Sequence, residues 1–186
     1  MKSNCPTNKK HNKGFTLIEL LIVIAVLGVL AAVVLVAINP LEQLARGRDS
    51  GRKTTVGQLK NAAQAFYTSH NATYSSHTNG WVTNLTNAGE LKAIPASVAY
   101  NTGAACAASA VQGGINSAVE NGWCYYTDYL NDAVVYTRLE SKSEITKCPT
   151  GQPVPFFLWN SKEGRAGVVC QATGTEPTGF LPFTYY

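Results

Sequence analysis

An apolar run over residues 15–38 constrains this chain more than any other feature. Its 24 residues are mostly Leu, Ile, Val and Ala, and Glu19 is the only charged residue among them. As a helix the run would be about 36 Å long, and the apolar core of a bilayer is about 30 Å thick. The run therefore predicts a membrane-spanning helix. A deeply buried core helix is the alternative, because apolar residues occur on every side.

A secretory signal peptide is the competing interpretation of an apolar run that follows a basic N-terminus. Signal peptides have an apolar stretch of about 7–15 residues and a small-residue cleavage site. This run is longer, carries Glu19 and is followed by no A-x-A motif. We therefore expect it to remain in the mature protein.

Glu19 needs an explanation, because a charged residue within a membrane span costs about 2.5–3.5 kcal/mol on insertion scales. It could lie at the membrane edge and reach the headgroups, or it could have a positive partner. Cleavage after Gly14 would create such a partner in the new amine of Phe15, one helical turn away. In a staggered bundle of identical helices, Glu19 of one chain could instead meet the Phe15 amine of the next.

The stretch GFTLIELLIVIAVLGVLAAVV resembles the N-terminus of type IV pilins and of type II secretion pseudopilins. The resemblance covers about 30 of 186 residues. It implies that a prepilin peptidase removes a basic leader after Gly14, that Phe15 is N-methylated and that Glu19 guides assembly. It also implies an assembly platform protein and an ATPase as partners, besides membrane lipid and copies of the chain or other pilins.

The net positive charge of the chain comes from its leader. The chain has 15 Lys and Arg against 11 Asp and Glu, and four of these Lys precede Gly14. The remainder is neutral, so a nucleic-acid partner is not indicated, although charge alone leaves it open. Lys and Arg are nearly balanced on the two sides of the run and do not set its orientation.

The cysteines favour an orientation with the N-terminus inside. Four of them follow the run, an even number that suits disulfides outside the cytosol. We favour the pairs Cys106–Cys124 and Cys148–Cys170, because sequential pairs close short loops, although four cysteines allow three pairings and reduced thiols are an alternative. The expected location is the inner membrane, followed by a cell-surface or periplasmic filament.

A helical period continues beyond the apolar run, and we predict one helix from Thr16 to about Ser69. Pro40 is expected to kink or locally melt it. The charged cluster over residues 46–54 predicts a solvated or headgroup-facing side of this helix, with an Asp49–Lys53 pair. Salt bridges between subunits are the functional alternative for the cluster.

The C-terminal half carries strand signals. Residues 70–122 are predicted to form a long loop region with one short helix or strand. Dense β-branched and aromatic residues then predict strands over 123–129, 133–140, 154–160 and 166–172.

The fold class is α+β, in which a long N-terminal helix continues into a domain with a roughly four-stranded antiparallel sheet. The expected parts are a leader (1–14), a membrane and assembly helix (15–38), its amphipathic continuation (39–69) and an extracytoplasmic domain (70–186).

No residue set predicts catalysis, a cofactor or a metal centre. Asp128, Asn131 and Asp132 place oxygen donors in one turn, which resembles the calcium site that major pseudopilins have near a C-terminal loop, but Asn-Asp is also ordinary turn chemistry. His70 and His77 are expected to be exposed. Two triplets, at Asn71 and Asn84, match the N-glycosylation acceptor pattern.

These observations predict a structural protein and not an enzyme. The expected function is that of a subunit of a type IV pilus-like filament. The alternatives are a minor pilin or pseudopilin of type II secretion or DNA uptake, and an anchored extracytoplasmic binding module that does not polymerise.

Overall fold

The structure, a computed structural model, describes residues 14–76, 80–98, 100, 116–128, 130–177, 179–180 and 182–186, without the side chains of 116–119. The chain divides into two units, residues 1–40 and 41–186. We describe each unit by itself.

The first unit contains the apolar helix α1, Leu17–Ile38. Thr16 caps its N-terminus, and Asn39 ends it with a left-handed backbone (φ 45°, ψ 77°). The next helix, α2, runs over Pro40–Ser69. The helical conformation is thus interrupted at Asn39, and Pro40 is the first residue of α2, where its missing N–H costs no helical hydrogen bond.

The second unit is an antiparallel meander with helices on one side. Its elements are α3 (Trp81–Asn87), β1 (Asn116–Glu120), β2 (Trp123–Thr127), β3 (Ala133–Arg138), α4 (Lys142–Ile145), β4 (Val154–Asn160) and β5 (Arg165–Gln171). The strands lie in the order β1-β2-β3-β4-β5, and each pairs antiparallel with the next. The predicted α+β class and the four predicted strands are confirmed.

Strand β1 was missed by the sequence prediction, which placed its residues in a loop region. Its sequence, NSAVE, has one β-branched residue, and propensity alone gives no strand there. A turn at Asn121 and Gly122, both with positive φ (53° and 82°), pairs it with β2. A side chain at Gly122 would place its Cβ 2.8 Å from the Val98 carbonyl oxygen. The Asn-Gly pair is a strong hairpin signal and could have revealed the strand.

One face of the sheet packs against α2 and α3. Because successive side chains of a strand point to opposite faces, alternate residues of β2, β3 and β4 share this core. Trp81 of α3 stacks on Tyr125 of β2 with ring centroids 4.5 Å apart. The fully buried members of this core include Val56, Leu59, Trp81, Val82, Leu85, Tyr125, Ala133 and Val135.

The C-terminal residues cover part of the opposite face. Tyr185 forms a bridge with Val169, and the Tyr186 N–H donates to the Val168 carbonyl at 2.9 Å. Glu163, in the β4–β5 turn, accepts hydrogen bonds from the Tyr185 hydroxyl and from the Phe183 N–H. The chain end is therefore part of the folded unit.

Two residues of the charged cluster of α2, Asp49 and Arg52, are buried, so the prediction of a solvated face was wrong for these two, whereas Arg46 and Arg48 are exposed. Asp49 and Arg52 are 2% and 4% exposed and form a salt bridge at 3.0 Å. Arg52 also pairs with Glu140 at 3.1 Å. Asp49 accepts the backbone N–H groups of Glu140 and Ser141, the latter at 2.8 Å. The partners lie about 90 residues away in sequence, so helix periodicity alone could not place them.

Further pairs extend this network along α2. Lys53 pairs with Glu144 at 2.7 Å, in place of the Asp49–Lys53 pair that its spacing predicted. Glu42 accepts the backbone N–H groups of Lys142 and Ser143 near the start of α4, and it pairs with Arg46 on its own helix. The network therefore fastens the first half of α2 to the segment between β3 and β4.

We predict that Arg52→Gln destabilises the second unit by about 3–5 kcal/mol, because it leaves the buried Asp49 carboxylate without its cation. The same substitution at Arg46, whose side chain is 51% exposed, is the matched control and should cost much less. Urea unfolding of the full-length protein in detergent micelles, followed by fluorescence of the buried Trp residues, measures both. Equal losses of stability in the two variants would contradict the prediction that the buried Arg52 matters more than the exposed Arg46.

We also predict that the unit loses stability in acid. Burial acts to raise the pKa of Glu144, but hydrogen bonds from Lys53 and Lys147 outweigh it and hold the pKa below its ordinary value. The Lys142 N–H lowers the pKa of Glu42 in the same direction. A carboxyl with a lowered pKa stabilises the fold above its ordinary pKa of about 4.3, and that stability is lost as the pH falls through the folded value.

The unfolding midpoint in urea should therefore be flat down to about pH 5 and fall below it. Glu144→Gln should lower the midpoint at neutral pH and make its decline in acid shallower. Glu90→Gln is the control, because this carboxylate accepts from the Ser69 hydroxyl and pairs with no cation among the described residues. An unchanged acid slope in Glu144→Gln would count against this assignment.

Candidate functional site

Three of the predicted site residues, Gly14, Phe15 and Glu19, lie at the N-terminus of α1. Thr16 is the N-cap, and Glu19 is the third residue of the helix. Glu19 Oε2 accepts the Thr16 backbone N–H at 2.9 Å and the Thr16 hydroxyl at 2.8 Å. The Glu19 N–H in turn donates to Thr16 Oγ1 at 3.3 Å. This reciprocal arrangement is a capping box, which satisfies N–H groups that a helix start leaves without partners.

The capping box is a role for Glu19 that the sequence prediction did not consider. The pattern Thr-x-x-Glu before an apolar run is its sequence signal and was present in TLIE. The described hydrogen bonds of Glu19 use Oε2, and Oε1 takes part in none of them. Gly14 and Phe15 directly precede the cap, and the Phe15 side chain is 85% exposed. One carboxylate can therefore hold its own helix start and still offer an oxygen to another group.

The surface of α1 is the second part of the site. None of its 22 residues is buried in this structure. Among the described residues it is the one helix long and apolar enough to cross a membrane. So large an exposed apolar surface is not stable in water and marks a contact with lipid or with other protein.

The cysteines follow the predicted pairing as far as the structure describes them. Cys148 and Cys170 form a disulfide that ties the segment after α4 to β5. Cys124 is buried and disulfide-bonded. Cys106 lies outside the described residues, so the Cys106–Cys124 pair remains a prediction.

The turn that begins at Asp128, considered above for calcium, is stabilised by hydrogen bonds from its own backbone N–H groups. Asp128 Oδ1 accepts the N–H groups of Asn131 at 2.9 Å and of Asp132 at 2.8 Å. Burial acts to raise the pKa of Asp128, but these bonds outweigh it, and the pKa lies below its usual value. Such bonding is typical of an Asp-initiated turn. In the described part of the chain, no group of three or more His, Cys, Asp or Glu is placed to hold a metal.

The remaining candidates are scattered in the second unit. His70 is exposed, as predicted, and stacks on Phe66 with ring centroids 3.8 Å apart. His77 lies outside the described residues. Asn71 is exposed with a positive φ of 52°, and Asn84 lies within α3.

A comparison with family models finds one relevant match at the N-terminus. Residues 9–35 match the prokaryotic N-terminal methylation motif. This range includes Gly14, Phe15, Glu19 and most of α1.

A comparison with curated proteins finds similarity to the type IV major pilin protein PilA of Myxococcus xanthus. The two chains are 41% identical over 69 residues, which is 37% of this chain and 30% of that protein. The match thus spans less than a third of the relative's length. No solved structure matches this chain.

The methylation motif covers the segment that holds the capping box, and the α+β fold of the rest agrees with the resemblance seen in the sequence. Together, the comparisons show that the N-terminal part of this chain carries a prokaryotic methylation motif and that 69 of its residues are similar to a type IV major pilin.

Proposed function

We propose that this chain is a structural subunit of a type IV pilus-like filament, which it joins through α1. The observation that carries the proposal is an apolar helix without buried residues that begins inside a methylation motif. Such a helix can be stored in a membrane and then packed against copies of itself. Repeated head-to-tail contacts of one kind produce an open filament.

Processing after Gly14 belongs to the proposal. A prepilin peptidase would remove residues 1–14, and methylation would follow on the new amine of Phe15. An assembly platform and an ATPase in other chains would then move the subunit from the inner membrane into the filament. The Cys148–Cys170 disulfide supports an extracytoplasmic second unit, because disulfides persist in oxidising compartments. The N-terminus would then be on the inner side.

Glu19 would set the position of each subunit in the filament. Its Oε2 is already bonded to Thr16, which leaves Oε1 for the Phe15 amine of a neighbouring chain. An unpaired carboxylate is costly inside an apolar bundle, so packing in which the two charges meet is favoured. The same arrangement serves a major pilin, a minor pilin or a pseudopilin.

We predict that Glu19→Ala leaves membrane insertion intact but lowers the yield of sheared filaments by at least about tenfold, since a charge-assisted hydrogen bond contributes about 1.5–3 kcal/mol. Thr16→Ala removes the hydroxyl of the cap but keeps the Glu19 charge, and it should reduce the yield much less. Glu90→Gln, at a carboxylate of the second unit, is the control.

The N-terminal residue and mass of the native protein test processing separately. N-methylated Phe15 is the expected result. An intact Met1 would favour the anchored module that does not polymerise, and a cleavage after α1 would contradict the filament proposal. Normal filament yield from Glu19→Ala would remove the role of Glu19 in setting subunit position.

A further inference from the structure

Strand β5 (Arg165–Gln171) lies at one end of the five-stranded sheet. Its seven residues pair one to one with β4, which satisfies one edge of the strand. The other edge of β5 faces away from the sheet. An edge strand presents a row of N–H and C=O groups that can pair with another chain, and proteins protect such edges with charged residues, prolines, bulges or a covering segment.

The sequence of β5 lacks most of these protections. Residues 166–170, AGVVC, contain no charged residue and no proline. The continuous pairing with β4 contains no bulge. Arg165 is the one charged residue of the strand, and its guanidinium lies over the Tyr185 ring. A short, uncharged and β-branched stretch of this kind pairs readily with copies of itself when it is uncovered.

Residues 183–186, the covering segment, lie along this edge. Tyr185 forms a bridge with Val169, and the Tyr186 N–H donates to the Val168 carbonyl at 2.9 Å. The described pairing of the covering segment thus involves two residues, against seven in the pairing of β5 with β4. So short a contact can open without disturbing the rest of the sheet.

Glu163, in the turn between β4 and β5, fixes the covering segment from the side. Its carboxylate accepts the Tyr185 hydroxyl and, at 3.1 Å, the Phe183 N–H. The side-chain amide of Asn160 donates to the same carboxylate at 3.2 Å and orients it. The covering segment is therefore held by backbone pairing with β5 and by two hydrogen bonds to one side chain.

We propose that the covering segment blocks the outer edge of β5, and that its release allows β5 to pair antiparallel with β5 of a second copy of this chain. Both copies present the same strand, so they can meet across a two-fold axis and join their sheets into one. In the closed state, the second units are kept from associating through their sheets. The proposal is independent of the proposed filament, because none of these residues belongs to α1.

Removal of residues 183–186 from the full-length protein in detergent micelles tests the proposal. Light scattering after size-exclusion chromatography measures the mass of the complex, with the unaltered protein in the same micelles as the reference. The truncated protein should dimerise with a dissociation constant at least about tenfold lower than that of the reference, since more than one hydrogen bond is lost from the closed state. A truncated protein with unchanged Trp fluorescence and unchanged mass would overturn the proposal.

A peptide of residues 179–186 separates release of the edge from unfolding. Added to the truncated protein, it should compete with the second copy and restore the mass of the reference, whereas a peptide of the same composition in scrambled order should not. Unfolded protein would not be restored in this way. Association that the native peptide leaves unchanged would contradict the proposal.

Hydrogen exchange, measured by NMR, separates edge pairing from adhesion of the uncovered sheet face. The Val168 carbonyl bonds to Tyr186, so the backbone groups of Val168 and of Cys170, two residues on, lie on the outer edge. In the truncated protein, their N–H groups should exchange more slowly as the protein concentration rises. Fast exchange at every concentration, in protein that associates, would overturn the pairing through β5.

Glu163→Ala tests the contact without removing any residue from the chain. It should lower the dissociation constant of the dimer by about tenfold, as expected for loss of hydrogen bonds to a charged group. Lys162→Ala, at an exposed position in the same turn, is the matched control and should leave the constant unchanged. The same dissociation constant in both variants would contradict the assigned role of Glu163.

Discussion

Arg52 lies between two carboxylates inside the second unit, and the arrangement of α2 depends on this contact. The residues of α2 that turn inward form one stripe at helical spacing, which includes Asp49, Arg52, Val56, Leu59 and Ala63. The stripe is charged where it begins and apolar where it ends. Its charged half meets the segment after β3, and its apolar half meets the sheet. A buried ion pair adds little net stability but penalises alternatives that separate its members. We infer that it sets how α2 lies on the sheet.

The parts of the fold that depend on local pattern could be predicted from the sequence. The run over residues 15–38 predicted α1, and dense β-branched and aromatic residues predicted β2 to β5. The burial of Asp49 and Arg52 could not be predicted, because it depends on Glu140 and Ser141, which only the tertiary fold brings near. Two misses were different in kind. The Asn-Gly turn before β2 and the Thr-x-x-Glu pattern of the capping box were readable signals that the prediction did not use.

The two units differ in how far their charged groups are paired and their apolar surfaces are covered. In the second unit, most of the charged groups of α2 find partners within the unit, and both described faces of the sheet have apolar cover. In the first, α1 has no buried residue, and its one charged side chain is bonded to its own cap. An apolar helix that is exposed along its length requires an apolar environment. Such a division of roles fits a subunit whose anchor changes surroundings while its folded part stays the same.

The covering of the sheet by the last residues limits how this protein can be handled. A Cβ at Gly167 would lie 2.6 Å from the Tyr185 ring, so the ring packs against this glycine at a distance that a side chain there would not permit. The Arg165 guanidinium lies 4.1 Å from the centre of the same ring. Removal of the last two residues would take away this aromatic cover. An affinity tag or fluorescent fusion joined directly to Tyr186 would pull on a residue whose backbone is bonded to Val168. Labels for purification or imaging therefore belong in an exposed turn elsewhere, such as the one around Gly151.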